Sequence, residues 1–135
     1  MGSTCLYFII SLFGGNRLVT RSDILNYAQE TYNTLSEHLW AKYPSYEVLR
    51  HKRNRKWFAM IMDVPKNKVG LEGNELIDIL NVKCEPEIVE LLHTQEGYSR
   101  AYHMNKEHWL TAILDETVSE EDIYSLIDTS YLLTQ

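Results

Sequence analysis

The densest collection of chemically capable side chains is Tyr102-His103-Met104-Asn105-Lys106-Glu107-His108-Trp109, which brings two imidazoles, an amide, an ammonium, a carboxylate and an indole into eight residues. His103 and His108 stand five apart across a turn, so they could converge on a small ligand, with Asn105 and Lys106 as donors at the tip. A metal site would need a third ligand, and Cys84 is too distant in sequence to supply a recognisable spacing. No serine, cysteine or carboxylate pair stands beside an imidazole as nucleophilic catalysis requires. The competing reading is structural: His103 and Asn105 bond backbone groups to fasten a hairpin, while Trp109 packs under the first strand of the sheet. Spacing alone leaves both readings open.

A second set of residues is set apart by charge. Between Lys42 and Lys68 eight basic residues face two acidic ones, a local +6 in a chain of net −6, so the remainder carries −12. Arg50, Lys52, Arg53, Arg55, Lys56, Lys66 and Lys68 would bind nucleic acid by neutralising phosphates and releasing counterions, if they line one edge. The anionic remainder repels a polyanion unless that strip alone faces it. No helix-turn-helix, zinc or RNA-reading motif accompanies the basic residues, and a solvated charged hairpin explains them equally. A third class of function is protein interaction. Tyr43, Tyr46, Tyr98 and Tyr102 belong to no helical stripe and would serve as anchors.

Enzymatic function finds the least support. Glu120, Glu121 and Asp122 are consecutive, point to different sides of a helix and suit its positive end. Gly70-Leu71-Glu72-Gly73 lacks the spacing and following lysine of a phosphate-cradling loop. No catalytic residue, metal ligand or cofactor is assigned.

The 135 residues, 44% apolar and 24% charged, suit one ordinary core rather than two and exclude wholesale disorder. One domain is expected over residues 18–135, preceded by an apolar arm at 1–17. The run Cys5 to Phe13 is half the roughly 20 residues needed to span a bilayer and has no basic leader. It is read as a strand or arm packed on the domain or on a second copy, giving a monomer or a homodimer formed by strand addition. Two cysteines, Cys5 and Cys84, imply reduced thiols in the cytoplasm rather than a disulfide scaffold.

The elements that must position these residues follow from periodicity and caps. Thr20, with Asp23 at the third helical position, predicts a helix start, and Ile24, Ala28, Leu35 and Leu39 extend an apolar stripe to about Lys42. Tyr46–Lys52 and Trp57–Val64 read as a hairpin joined at Arg53-Asn54-Arg55, with Asn54 taking the positive φ. Both alternating sets of the second strand are apolar, which predicts an interior strand covered on two faces. An exposed loop at 65–74, a strand at 76–84 and a short helix from Pro86 follow, with Ile88, Leu91 and Leu92 buried. Strands at 98–103 and 108–114 come next. The last helix is capped at Ser119, with Ile123, Leu126, Ile127 and Tyr131 on one face. The order is α-β-β-β-α-β-β-α, an α+β class with an antiparallel sheet packed against helices.

Several separated words in that order carry a family likeness: Leu49-Arg50-His51-Lys52, Lys56-Trp57-Phe58-Ala59, Met62-Asp63-Val64-Pro65, Asp78-Ile79-Leu80-Asn81-Val82-Lys83-Cys84, Tyr102-His103-Met104-Asn105-Lys106, His108-Trp109 and Ile127-Asp128-Thr129-Ser130-Tyr131. From Val19 to Leu133 the chain resembles the MmcQ/YjbR family. The resemblance implies the α+β fold shared with CyaY-like proteins and secretion chaperones, and the label DNA-binding protein. It covers none of residues 1–17.

Overall fold

Alternation along the strands decides the architecture. On β2 (Trp57–Pro65) Ala59 and Ile61 join one buried cluster while Met60, Met62 and Val64 join another. On β3 (Leu76–Lys83) Leu80 and Val82 oppose Ile79 in the same way. A sheet apolar on both sides must be covered twice. In the computed structural model, which describes residues 17–135, β1 (Glu47–Arg50), β2, β3, β4 (Tyr98–Arg100) and β5 (Trp109–Ile113) form one sheet in the order β1-β2-β3-β5-β4, antiparallel throughout. The expected arm lies almost wholly outside the described residues. β2 is interior as expected, and β3 takes the middle of the sheet.

The first face is covered by helices α1 (Arg21–Tyr32), α2 (Pro86–Leu92) and α3 (Glu120–Leu133), which contribute Ile24 and Ala28, Val89, and Ile123, Leu126 and Ile127 to its core. The observed order of elements is the expected one. α1 opens with the predicted capping box: the Thr20 hydroxyl accepts from Asp23 N at 3.1 Å and the Asp23 carboxylate accepts from Thr20 N at 2.9 Å. α1 and α3 meet through stacked tyrosine pairs, Tyr27 on Tyr124 and Tyr32 on Tyr131, with the Asp128 carboxylate accepting from both Tyr27 and Tyr32 hydroxyls.

The second face has no helix. Trp40 and Tyr46 from the segment before β1, Val69 and Leu71 from the connection after β2, and Tyr102 and Met104 from the β4–β5 connection lie against it. This accounts for two departures from expectation. α1 ends at Tyr32, because Asn33 adopts the left-handed conformation (φ 52) that closes the helix. Leu35 and Leu39, expected in a helical stripe, are instead 68% and 39% exposed, and Glu37 pairs with Val48 along the outer edge of β1. The 65–74 connection is not simply exposed, since it forms a 3₁₀ turn (Lys66–Val69) that buries Val69. In α2 the buried residue is Val89, with Ile88 and Leu91 exposed, because seven residues make too few turns for a full stripe.

A bulge shapes the lower end of β2. Leu49 pairs with Ala59 but Arg50 pairs with Trp57, so Phe58 is the extra residue. Phe58 then joins the helix-side core while Trp57 packs on the other face. The Ser130 hydroxyl donates to the Phe58 carbonyl at 2.6 Å and accepts from Lys83 N at 2.9 Å. His51 completes the junction with Nε2 2.8 Å from Thr134 Oγ1. Burial pushes its imidazole below the ordinary value; Lys56 adds to the effect and the Tyr131 carbonyl opposes it.

Ser130→Ala leaves two backbone groups of that junction without their partner, and should cost about 1–3 kcal/mol in denaturant unfolding with an unchanged m value. A histidine whose folded pKa is depressed takes up its proton more readily in the unfolded chain. Its contribution is therefore present at neutral pH and lost as pH falls below about 6.5. The melting temperature of His51→Gln should fall less steeply over that range than that of the unaltered protein.

Candidate functional site

The seven basic residues do not share one edge. Lys52, Arg53, Arg55 and Lys56 occupy the exposed tip of the β1–β2 hairpin, where Arg55 (φ 64), and not Asn54, takes the left-handed conformation. The Asn54 side chain closes the tip instead, accepting from Lys56 N and donating to the Thr134 carbonyl. Lys66 and Lys68 follow the far end of β2, a strand of nine residues that spans roughly 26 Å at ~3.3 Å per residue. Arg50 makes a two-pronged contact to Glu37, with both bonds at 2.8 Å, and Arg55 adds a third at 3.1 Å. That arrangement holds the Glu37 carboxyl at about 2, chiefly through the Arg50 hydrogen bonds. Lys66 pairs with Glu75 at 3.2 Å. Among the described residues no carboxylate pairs with Lys52, Arg53, Lys56 or Lys68. The tip rests against the C-terminal end of α3 through Asn54 and Thr134, where cations also complement the exposed carbonyls of the helix end.

The Tyr102 to Trp109 segment is held by Asn105. Its side-chain oxygen accepts from Glu107 N at 2.8 Å and His108 N at 3.3 Å, and its carbonyl accepts from Trp109 N. Lys106 Nζ donates to the Ala101 carbonyl at 2.7 Å. His103 is exposed at positive φ (61°), and its ring lies 4.0 Å from that of Tyr102 rather than on a backbone group. His108 is exposed as well. Trp109 sits opposite Lys83 on β3, so β3 and β2 separate it from β1, beneath which it was expected. The described residues contain no cluster of three or more His, Cys, Asp or Glu side chains placed to hold a metal.

Two residues that spacing did not single out secure this segment. Asn81 and Thr111 are fully buried on the second face, where the Thr111 hydroxyl donates to the Asn81 side-chain oxygen. Asn81 Nδ2 donates to the Tyr102 carbonyl at 3.0 Å, and Tyr102 N donates to Thr111 Oγ1 at 3.2 Å. An asparagine between Ile79-Leu80 and Val82 was the available signal. Tyr102, so placed, lines a concavity of about 640 Å³ together with Lys68, Arg100 and Lys106. One member of the basic set thus joins the second candidate set, while the hairpin tip stays apart. A smaller hollow, about 390 Å³, lies by Arg21, Asp63 and Asp78, and there the Arg21 guanidinium already binds Asp78 and Glu47 at 2.8 and 3.0 Å.

Asn81→Ala should lower stability by about 1–3 kcal/mol, the cost of buried groups left unpaired. Amide exchange should accelerate at 101–104 while the 52–56 tip keeps its own rate, as native-state hydrogen exchange would record.

Residues 29–133 match the family model described as YjbR. The chain is 46% identical over 118 residues to the uncharacterized protein YyaQ of Bacillus subtilis (strain 168), covering 87% of this chain and 100% of that one. It is 42% identical over 75 residues to the uncharacterized protein YjbR of Escherichia coli (strain K12), 55% of each chain. A Pseudomonas syringae protein solved by crystallography has a TM-score of 0.84 at 42% identity, with 87% of this chain and 100% of that chain covered. A Deinococcus radiodurans protein shares the fold with a TM-score of 0.66 at 24% identity, covering 86% of this chain and 78% of its own.

Proposed function

The chain belongs to the YjbR family, and we propose that it is a non-enzymatic binding module that meets the phosphate backbone of DNA through the tip of the β1–β2 hairpin. The observation that carries this reading is the exposure of Lys52, Arg53 and Lys56 with no carboxylate partner among the described residues. Exposed cations free of internal partners are available to phosphates, and each one engaged releases condensed counterions. The anionic remainder lowers affinity, though at physiological salt its field fades beyond about 8 Å. Contacts of this kind position a protein without reading sequence. Lys66 and Lys68 fall outside this surface. The reading places the protein in the cytoplasm, where Cys84, buried and pushed up to about 11 by that burial, is an inert thiol.

A second reading, docking of a protein partner, is favoured by one observation. Leu35, Leu39 and Tyr43 are exposed on the segment that follows α1, beside a ladder in which Tyr43 stacks on Tyr46 and Trp40 meets Trp57.

Fluorescence polarisation with a labelled duplex separates the two. Three phosphate contacts predict roughly a 40-fold loss of affinity between about 50 and 200 mM salt. The triple variant K52Q/R53Q/K56Q should lose binding at low salt while keeping its melting temperature within a few degrees. Absence of binding by the unaltered protein at the lowest salt overturns the DNA reading and leaves the protein-docking surface.

A further inference from the structure

We propose that the concavity between the 3₁₀ turn after β2, the end of α2, strand β4 and the 102–106 segment is a binding site for a small organic anion, a carboxylate or phosphate carried on a flat ring. The proposal is independent of the hairpin tip and of DNA binding.

At about 640 Å³ the space lies within the range of small-molecule sites, which are typically apolar with a few placed polar groups. Its cations are Lys68, Arg100 and Lys106, against one carboxylate, Glu96, in the lining. They come from two separate parts of the chain, Lys68 from the turn after β2 and Arg100 and Lys106 from β4 and the turn that follows it, and only folding brings the two together. Lys68 has no carboxylate partner among the described residues. Lys106 gives one hydrogen to the Ala101 carbonyl and keeps two for a ligand. Arg100 is shared with Glu90 at 3.3 Å, so it tunes the field more than it binds. The lysines therefore carry the anion recognition.

The remainder of the lining suits a flat apolar body. Tyr102 shares the second face with buried Val69 and Ile113, and an aromatic face holds planar rings by offset stacking. The frame is rigid where it matters, because Tyr102 is tied at both backbone groups to Asn81 and Thr111. A site fixed before the ligand arrives loses little entropy on binding. The polar triangle buried under the sheet thus acquires a role beyond stability.

Titration followed by amide chemical shifts tests this with four probes: adenosine monophosphate, indole-3-acetate, adenosine and inorganic phosphate. We expect adenosine monophosphate or indole-3-acetate to bind at least tenfold tighter than adenosine or phosphate alone, with shifts at 68–71 and 97–102 and none at 52–56. Which of the two binds identifies phosphate or carboxylate as the anion. K68Q, whose lysine has no carboxylate partner among the described residues, should weaken binding about tenfold, and K106Q should do so comparably. The proposal is overturned if neither ringed anion gains that margin, if the shifts fall on the hairpin tip, or if K68Q binds like the unaltered protein.

Discussion

A sheet that is apolar on both sides, accompanied by helices enough for one, imposes the main constraint on this molecule. Met60, Met62, Val64 and Ile79 cannot face water without forfeiting roughly 1.5–3 kcal/mol each. Irregular segments must therefore form the second layer, and those segments carry the residues of the candidate anion site, while the hairpin tip stands outside them. Trp40 and Tyr46 precede β1, Lys68 neighbours the buried Val69, and Lys106 follows Tyr102 and Met104. The candidate anion site is a consequence of covering the sheet in pieces: where the pieces meet imperfectly, a concavity remains.

Loops pressed on a core bring backbone polar groups with them, and each needs a partner. The chain meets that need with a few buried polar side chains placed at irregularities. Asn81 and Thr111 receive the Tyr102 backbone, and Ser130 bridges the bulged Phe58 carbonyl to Lys83 N. His51 and Asn54 engage Thr134 where the hairpin meets the end of α3. No buried side-chain nitrogen or oxygen among the described residues lacks a hydrogen-bond partner. Several of these residues lie in the words that carry the family likeness, which gives those words a physical reading: Asn81 fastens the second layer, and His51 and Ser130 fasten the hairpin base to α3.

The same packing redistributes charge. Glu37, drawn alongside β1 by its pairing with Val48, occupies Arg50 and Arg55. The length of β2 then parts the remaining cations into a hairpin tip and a pair of lysines at the far end, one of which Glu75 takes up. A basic stretch that is continuous along the chain becomes two small surfaces with different neighbours. One is convex and open to an extended polyanion. The other is concave and lined with tyrosine.

Element order, the capping box at Thr20, the buried face of α3 and the two-sided burial of β2 were legible in the sequence, because each depends on residues within a turn or two of one another. The halt of α1 was only half legible: Asn33 carried a signal, but the stripe through Leu35 and Leu39 spoke for a longer helix, and it yielded because the chain had to turn back along β1. Nothing local could show that Lys68 would stand by Lys106 and not by Lys56, or that Asn81 would hold Tyr102. Those placements come from strand order and from the need to cover a second face. Local periodicity therefore determined what each segment became, and only long-range packing decided which side chains met.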